Sequence, residues 1–92
     1  MIKSFKNKDT EQLFNGMRVK RFQAFEQQAR RRLKILDSAI SINSLFLIPS
    51  NRAHALGGDR DHQYAIWINN QWRICFEWYD GHAENVEIID YH

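Results

Sequence analysis

The sequence predicts an α+β fold: a small, mainly antiparallel sheet preceded by two N-terminal helices. Three observations carry that expectation. The C-terminal third alternates apolar and polar residues over three runs separated by short turn sequences, as strands in adjacent hairpins do. The segment from Val19 to Ile40 instead repeats its apolar residues every three or four positions, the period of a helix. The 92 residues suffice for one domain, 1–92, and the 43% hydrophobic content is enough to fill one core.

The sheet is organised around Gln71 to Trp78. Trp72, Ile74, Phe76 and Trp78 share one face of an extended chain, and Arg73, Cys75 and Glu77 share the other. The aromatic face belongs to a core. Arg73 has two readings, a cross-strand ion pair with Glu77 or the marker of a working face.

Its neighbours follow. Gln63 to Ile68 forms the preceding strand, Asn69-Asn70-Gln71 the turn, Asp80-Gly81 a second turn, and Glu84 to Asp90 the last strand. Matching apolar faces pairs Ile68 with Trp72, Ile66 with Ile74 and Tyr64 with Phe76. The same rule pairs Phe76 with Val86 and Ile74 with Ile88. Trp67 and Ile89 then flank Arg73, and Asp90-Tyr91-His92 comes within about two residues of it, on the order of 7 Å.

Ahead of the sheet, Ile2 to Phe5 is a short extended candidate. Asp9 or Thr10 is placed to cap a short helix closed by Gly16. Phe22, Phe25, Ala29, Leu33, Leu36 and Ile40 make one helical stripe. Ser41 to Gly58 reads as irregular, with a helical turn near 43–47.

Residues 1–34 carry ten Lys/Arg against three Asp/Glu, whereas residues 35–92 carry three against eight. A basic N-terminal half is either a solvated helix face or the footprint of a polyanionic partner. Arg30, Arg31, Arg32 and Lys34 fall mostly off the apolar stripe and spread too far round the helix to form one pocket. No segment reaches the ~20 apolar residues of a membrane span. The lone Cys75 and the lack of a signal-peptide pattern at the N-terminus fit a cytoplasmic protein. No His/Cys spacing marks a metal site, and no phosphate-loop motif follows Gly57-Gly58.

One Arg, a Tyr, an Asp and one or two His near a basic surface suit work on a phosphodiester. Arg presents a planar fork of donors to phosphate oxygens. Histidine exchanges protons near neutrality. RNA brings its own nucleophile, the 2′-OH, so the chemistry requires no cofactor or metal. Trp67 or Tyr91 is suited to stack on a base. Alone, each residue also has an ordinary reading: His62 and His82 as surface residues, His54 as a loop residue, Tyr91-His92 as a frayed end.

Met1-Ile2-Lys3-Ser4-Phe5, Leu56-Gly57-Gly58-Asp59-Arg60, Asn70-Gln71-Trp72-Arg73-Ile74-Cys75-Phe76 and Val86-Glu87-Ile88-Ile89-Asp90-Tyr91-His92 together resemble the HigB toxins, or plasmid-maintenance killer proteins, of the RelE/ParE superfamily. The resemblance spans essentially the whole chain. It implies a RelE/ParE-like fold, a small twisted sheet with two N-terminal helices packed on one face, and a type II toxin that cleaves mRNA on the translating 70S ribosome and is silenced by a helix-turn-helix antitoxin, HigA. The pair would meet DNA only through the antitoxin, and no membrane is involved. It implies catalytic roles for Arg73, His92, Asp90, Tyr91 and His54. Arg30, Arg31, Arg32, Lys34, Arg60 and Trp67 are the candidate RNA contacts. Gly57 stands where some members have lysine, Trp67 where arginine is more usual, and Phe46-Leu47-Ile48 replaces a more polar stretch. The alternatives are a same-fold toxin acting on a protein such as gyrase, and a non-catalytic binding module.

Overall fold

The computed structural model describes residues 1–91; His92 lies outside the described residues. Helix α1 spans Lys8–Phe14, a 3-10 turn spans Lys20–Phe25, α2 spans Glu26–Ser38 and α3 spans Ile42–Phe46. Strands β1 (His54–Ala55), β2 (Gln63–Trp67), β3 (Trp72–Tyr79) and β4 (His82–Asp90) form one antiparallel sheet in the order β1-β2-β3-β4. The α+β expectation holds, with one strand more than the alternation indicated. β1 lies in the segment read as irregular, because two residues are too few to show a period.

The N-terminal half departs from its sequence reading in three details. Asn7, not Asp9 or Thr10, caps α1, its side chain accepting from the Thr10 N–H at 2.9 Å. Thr10 is instead fully buried, and its hydroxyl accepts from the Ile88 N–H at 3.0 Å. A core hydroxyl needs a partner, and this one satisfies a strand amide. Phe22, Phe25, Ala29, Leu33 and Leu36 are buried as the stripe requires. The helix is not continuous, however: Phe25 leaves helical geometry at ψ 27 between the 3-10 turn and α2. Ala39 is extended (ψ 134), which swings Ile40 off the stripe and leaves it 85% exposed.

In the sheet, parity sets the register as expected on one side. Ile66 faces Ile74, Tyr64 faces Phe76 and Trp67 faces Arg73. The turn at 69–71 works without glycine because the Asn69 side chain accepts from the N–H groups of Gln71 and Trp72, each at 2.9 Å. On the other side Ile74 faces Ile88 and Arg73 faces Ile89, but the expected Phe76–Val86 pair is absent. A bulge between Cys75 and Glu77 sets Asn85 and Val86 together against Phe76. Asn85 takes a left-handed φ of 52° there. Asp80 and Gly81 turn the chain with φ 47° and 83°, the conformation a two-residue hairpin needs, so β4 begins at His82 and not Glu84.

Ile2 and Phe5 make parallel bridges to Ala83 and Val86, covering part of the β4 edge. The Ile2 N–H also donates to Asp37 of α2 at 2.8 Å. The helices cover the aromatic face: Phe22 and Phe25 lie 5.8 and 4.8 Å from the Trp72 ring. The opposite face carries His54, Ala65, Trp67, Arg73, Cys75, Glu87 and Ile89, as the register dictates. At one end of that face the nearly buried Glu87 meets Lys6 at 3.4 Å and Arg60 at 3.3 Å.

Candidate functional site

The other end of the open face collects four sequence-predicted residues around Arg73. Arg73 does not pair with Glu77. Glu77 accepts instead from the Tyr79 hydroxyl at 2.9 Å and the Asn85 amide at 3.2 Å. Arg73 Nη1 donates to the Asn69 and Trp72 carbonyls. Those carbonyls belong to the turn that the Asn69 side chain closes, so the turn also holds the guanidinium. Its Nε–Nη2 edge is unengaged among the described residues, and no carboxylate there comes within salt-bridge distance of it. The guanidinium carbon sits 5.1 Å from the centre of the Tyr91 ring.

Tyr91 reaches this position by leaving the sheet. Its N–H donates to the Gln71 carbonyl at 2.6 Å, and the Gln71 amide donates to Asp90 at 3.0 Å. Both anchors lie on the β2–β3 turn and its flank. From there the Tyr91 ring extends over the open face and meets the His54 ring edge-on, 6.4 Å between centroids. His54 stands on β1 at the far edge of the sheet, roughly 14 Å from β4 at ordinary strand spacing. Tyr91 is therefore the link between the two outer strands.

The tautomer of His54 follows from its partner. Its Nδ1 lies 3.2 Å from the Arg52 carbonyl, which can only accept, so Nδ1 carries a proton and donates it, while Nε2 has no partner among the described residues. Trp67 sits opposite Arg73 in register, and the Arg52 guanidinium stacks over its ring at 4.5 Å. The Trp67 indole N–H is buried without an acceptor among the described residues. Cys75 shares this face but is fully buried. That burial, offset in part by Arg60, pushes its thiol up to about 11, so it is a poor nucleophile at neutral pH.

The remaining candidates lie elsewhere. Arg60 donates to Gln63 at 2.9 Å and to Glu87 at 3.3 Å, at the far end of the face. Arg30 donates to the Leu13 and Met17 carbonyls, tying the end of α1 to α2. Arg32 donates to Asn51 at 2.6 Å, and burial lowers its pKa, with the charge of Arg31 adding to the effect. Arg31 and Lys34 stay exposed and, with Gln27 and Arg30, line a shallow hollow on α2. All four belong to the helical layer, on the other side of the sheet from Arg73. The sequence reading missed Arg52. No sequence signal marked it, because it lies outside β1 in a left-handed conformation after the 3-10 turn Pro49–Asn51.

Comparison with known proteins bears on the fold and the family. A family model described as the RelE-like toxin of the type II toxin-antitoxin system HigB matches residues 3–92. Toxin HigB-1 of Vibrio cholerae is 34% identical over 88 residues, covering 94% of this chain and 93% of its own. Endoribonuclease HigB of Proteus vulgaris is 34% identical over 97 residues, covering all of both chains. The solved structure of the YoeB dimer from Staphylococcus aureus shares the fold, with a TM-score of 0.57 over 99% of this chain and 97% of that one at 17% identity. The four-stranded sheet, its helical layer and the match over nearly every residue make this chain a member of the HigB-like family of RelE-like toxins, the toxin half of a type II toxin-antitoxin system.

Proposed function

We propose that this toxin is an endoribonuclease that cuts mRNA on the translating ribosome, with the RNA 2′-OH as nucleophile. The observation that carries the reading is the cluster of Arg73, Tyr91 and His54 on the open face, two of them polar groups with an edge or nitrogen unengaged among the described residues. The name of the Proteus vulgaris relative supports it. His54 Nε2 takes the 2′-OH proton, and the 2′-oxygen bonds to phosphorus. The P–O5′ bond breaks, leaving a 2′,3′-cyclic phosphate on one fragment. The departing 5′-oxygen receives its proton from the Asp90-Tyr91-His92 end of the chain. The Nε–Nη2 edge of Arg73 meets the charge that builds on the phosphate oxygens. Asp90 steadies the terminus through Gln71, and Tyr91 positions both Arg73 and His54.

The whole chain, 1–92, acts as one toxin domain in the cytoplasm. Its antitoxin is a HigA-like helix-turn-helix protein that forms a hetero-oligomer with it and carries the pair to DNA. Arg31 and Lys34, exposed on α2, contact ribosomal RNA phosphates. A reconstituted translation system tests the cutting chemistry. The toxin should cleave ribosome-bound mRNA to a cyclic phosphate, and His54→Ala or removal of His92 should slow it at least a hundredfold. Cleavage of an mRNA carrying a 2′-deoxy residue at the cut site, at the ordinary rate, would rule the reaction out.

A further inference from the structure

Arg52 is held in an unusual way for an exposed arginine. It follows the 3-10 turn Pro49–Asn51 and adopts a left-handed conformation, φ 42° and ψ 46°. Glycine or asparagine takes that conformation at lower cost than a long side chain. Its N–H donates to the Pro49 carbonyl at 3.1 Å. The turn itself is anchored by Asn51, which is fully buried, accepts from Arg32 and donates to the Leu45 carbonyl at 3.0 Å. The backbone at Arg52 is thus set by the helical layer, while its guanidinium lies on the Trp67 ring at 4.5 Å.

Stacking uses the face of a guanidinium and leaves its edges, with their N–H donors, for an anion. Like Arg73, Arg52 has no carboxylate within salt-bridge distance among the described residues. Trp67 faces Arg73 directly across the strands, so the ring beneath the Arg52 guanidinium adjoins the strand position of Arg73, and neither guanidinium has a carboxylate partner among the described residues. Together they make a paired anion site suited to consecutive phosphates of a single strand.

We propose that Arg52, stacked on Trp67, is a second phosphate-binding subsite that grips the RNA linkage next to the one Arg73 meets. The placement beside a scissile linkage rests on the endoribonuclease reading; the anion subsite does not. Arg52→Gly is the cleanest variant, since glycine accepts φ 42° and keeps the carbonyl that His54 Nδ1 donates to. Binding is read by fluorescence anisotropy with a labelled, fully 2′-O-methylated single-stranded RNA octamer that cannot be cut. Arg52→Gly and Trp67→Ala should each weaken binding about tenfold and flatten the slope of log affinity against log salt by about 0.7. Trp67→Phe, which keeps a ring, should retain most of the affinity. On ribosome-bound mRNA, Arg52→Gly should raise KM with kcat within about twofold.

Wild-type affinity and salt slope in Arg52→Gly, with an unchanged thermal transition, would overturn the subsite. So would a fall in kcat at constant KM, which would mean that Arg52 acts only by orienting His54. If the wild-type toxin cuts no mRNA but its RNA binding still depends on Arg52, the nuclease reading fails and the subsite stands.

Discussion

Replacing Arg73 by alanine is the most direct test of the proposed chemistry, and the structure sets the size of the effect. Two backbone carbonyls hold Nη1, so the guanidinium is in place before substrate arrives. No carboxylate among the described residues competes for it. A donor preorganised in this way contributes about 10²–10³ in kcat, roughly 3–4 kcal/mol at the transition state. Arg73→Ala should lose that factor in single-turnover cleavage of ribosome-bound mRNA. Growth arrest on expression without antitoxin should disappear with it. The cost to folding is small by comparison: two carbonyls at a half-exposed turn lose a partner, about 1 kcal/mol, or roughly 4–8 °C in Tm. Arg73→Lys keeps the charge but cannot donate to both carbonyls and offer a planar edge to phosphate, so it should recover at most about tenfold. A folded Arg73→Ala variant that cuts within threefold of wild type would refute the reasoning, because no group would then be supplying the charge.

Three further outcomes are expected. Cys75 keeps its proton in the fold up to about 11, against an ordinary value of 9.0, so the native state binds more protons between those values and stability falls as pH rises from 9.0 to about 11. Two units correspond to about 2–3 kcal/mol, and Cys75→Ala should remove that part of the alkaline slope in urea titrations. Thr10→Val keeps the shape but orphans the Ile88 N–H, which should cost about 1–3 kcal/mol and be visible as a lower Tm by calorimetry. Asn51→Ala breaks the bonds to Arg32 and Leu45; it should cost about 2–3 kcal/mol and, by loosening the turn that carries Arg52 and His54, slow cleavage more than Thr10→Val does.

Much of the sheet was legible because its information is local. Trp72, Ile74 and Phe76 alternate with Arg73 and Cys75, and the two hairpin turns are short, so parity left a single register for β2 on β3. Asp80-Gly81 named its own turn, since both positions need positive φ. The bulge at Phe76 was not legible. Alternation continues through Val86 and Ile88 whether or not an extra residue is accommodated, and only Asn85, a residue tolerant of left-handed φ, hinted at it. The stripe from Phe22 to Leu36 identified the buried residues but not the change of helix type at Phe25, because 3-10 and α turns place i and i+3 on nearly the same side.

The site divides the same way. By itself the sequence determined that Arg73 stands on the face opposite the core, that Trp67 and Ile89 flank it, and that Tyr91 runs close by. Each of these is a matter of counting along strands whose neighbours are joined by short turns. Counting along strands could not bring His54 to them: the family resemblance named it, and only the tertiary structure puts it there. Its strand is two residues long, it joins the far edge of the sheet, and its contact with Tyr91 spans 37 positions of chain. It also decided which cations are available. Arg30 and Arg32 look like Arg31 in sequence, yet the fold takes both into its own hydrogen bonds, while Arg52, unremarked in a loop, is set on Trp67 and left facing outward. Whether packing leaves an arginine donors to spare, as it does for one edge of Arg73 and for Arg52 among the described residues, is recorded in no local pattern.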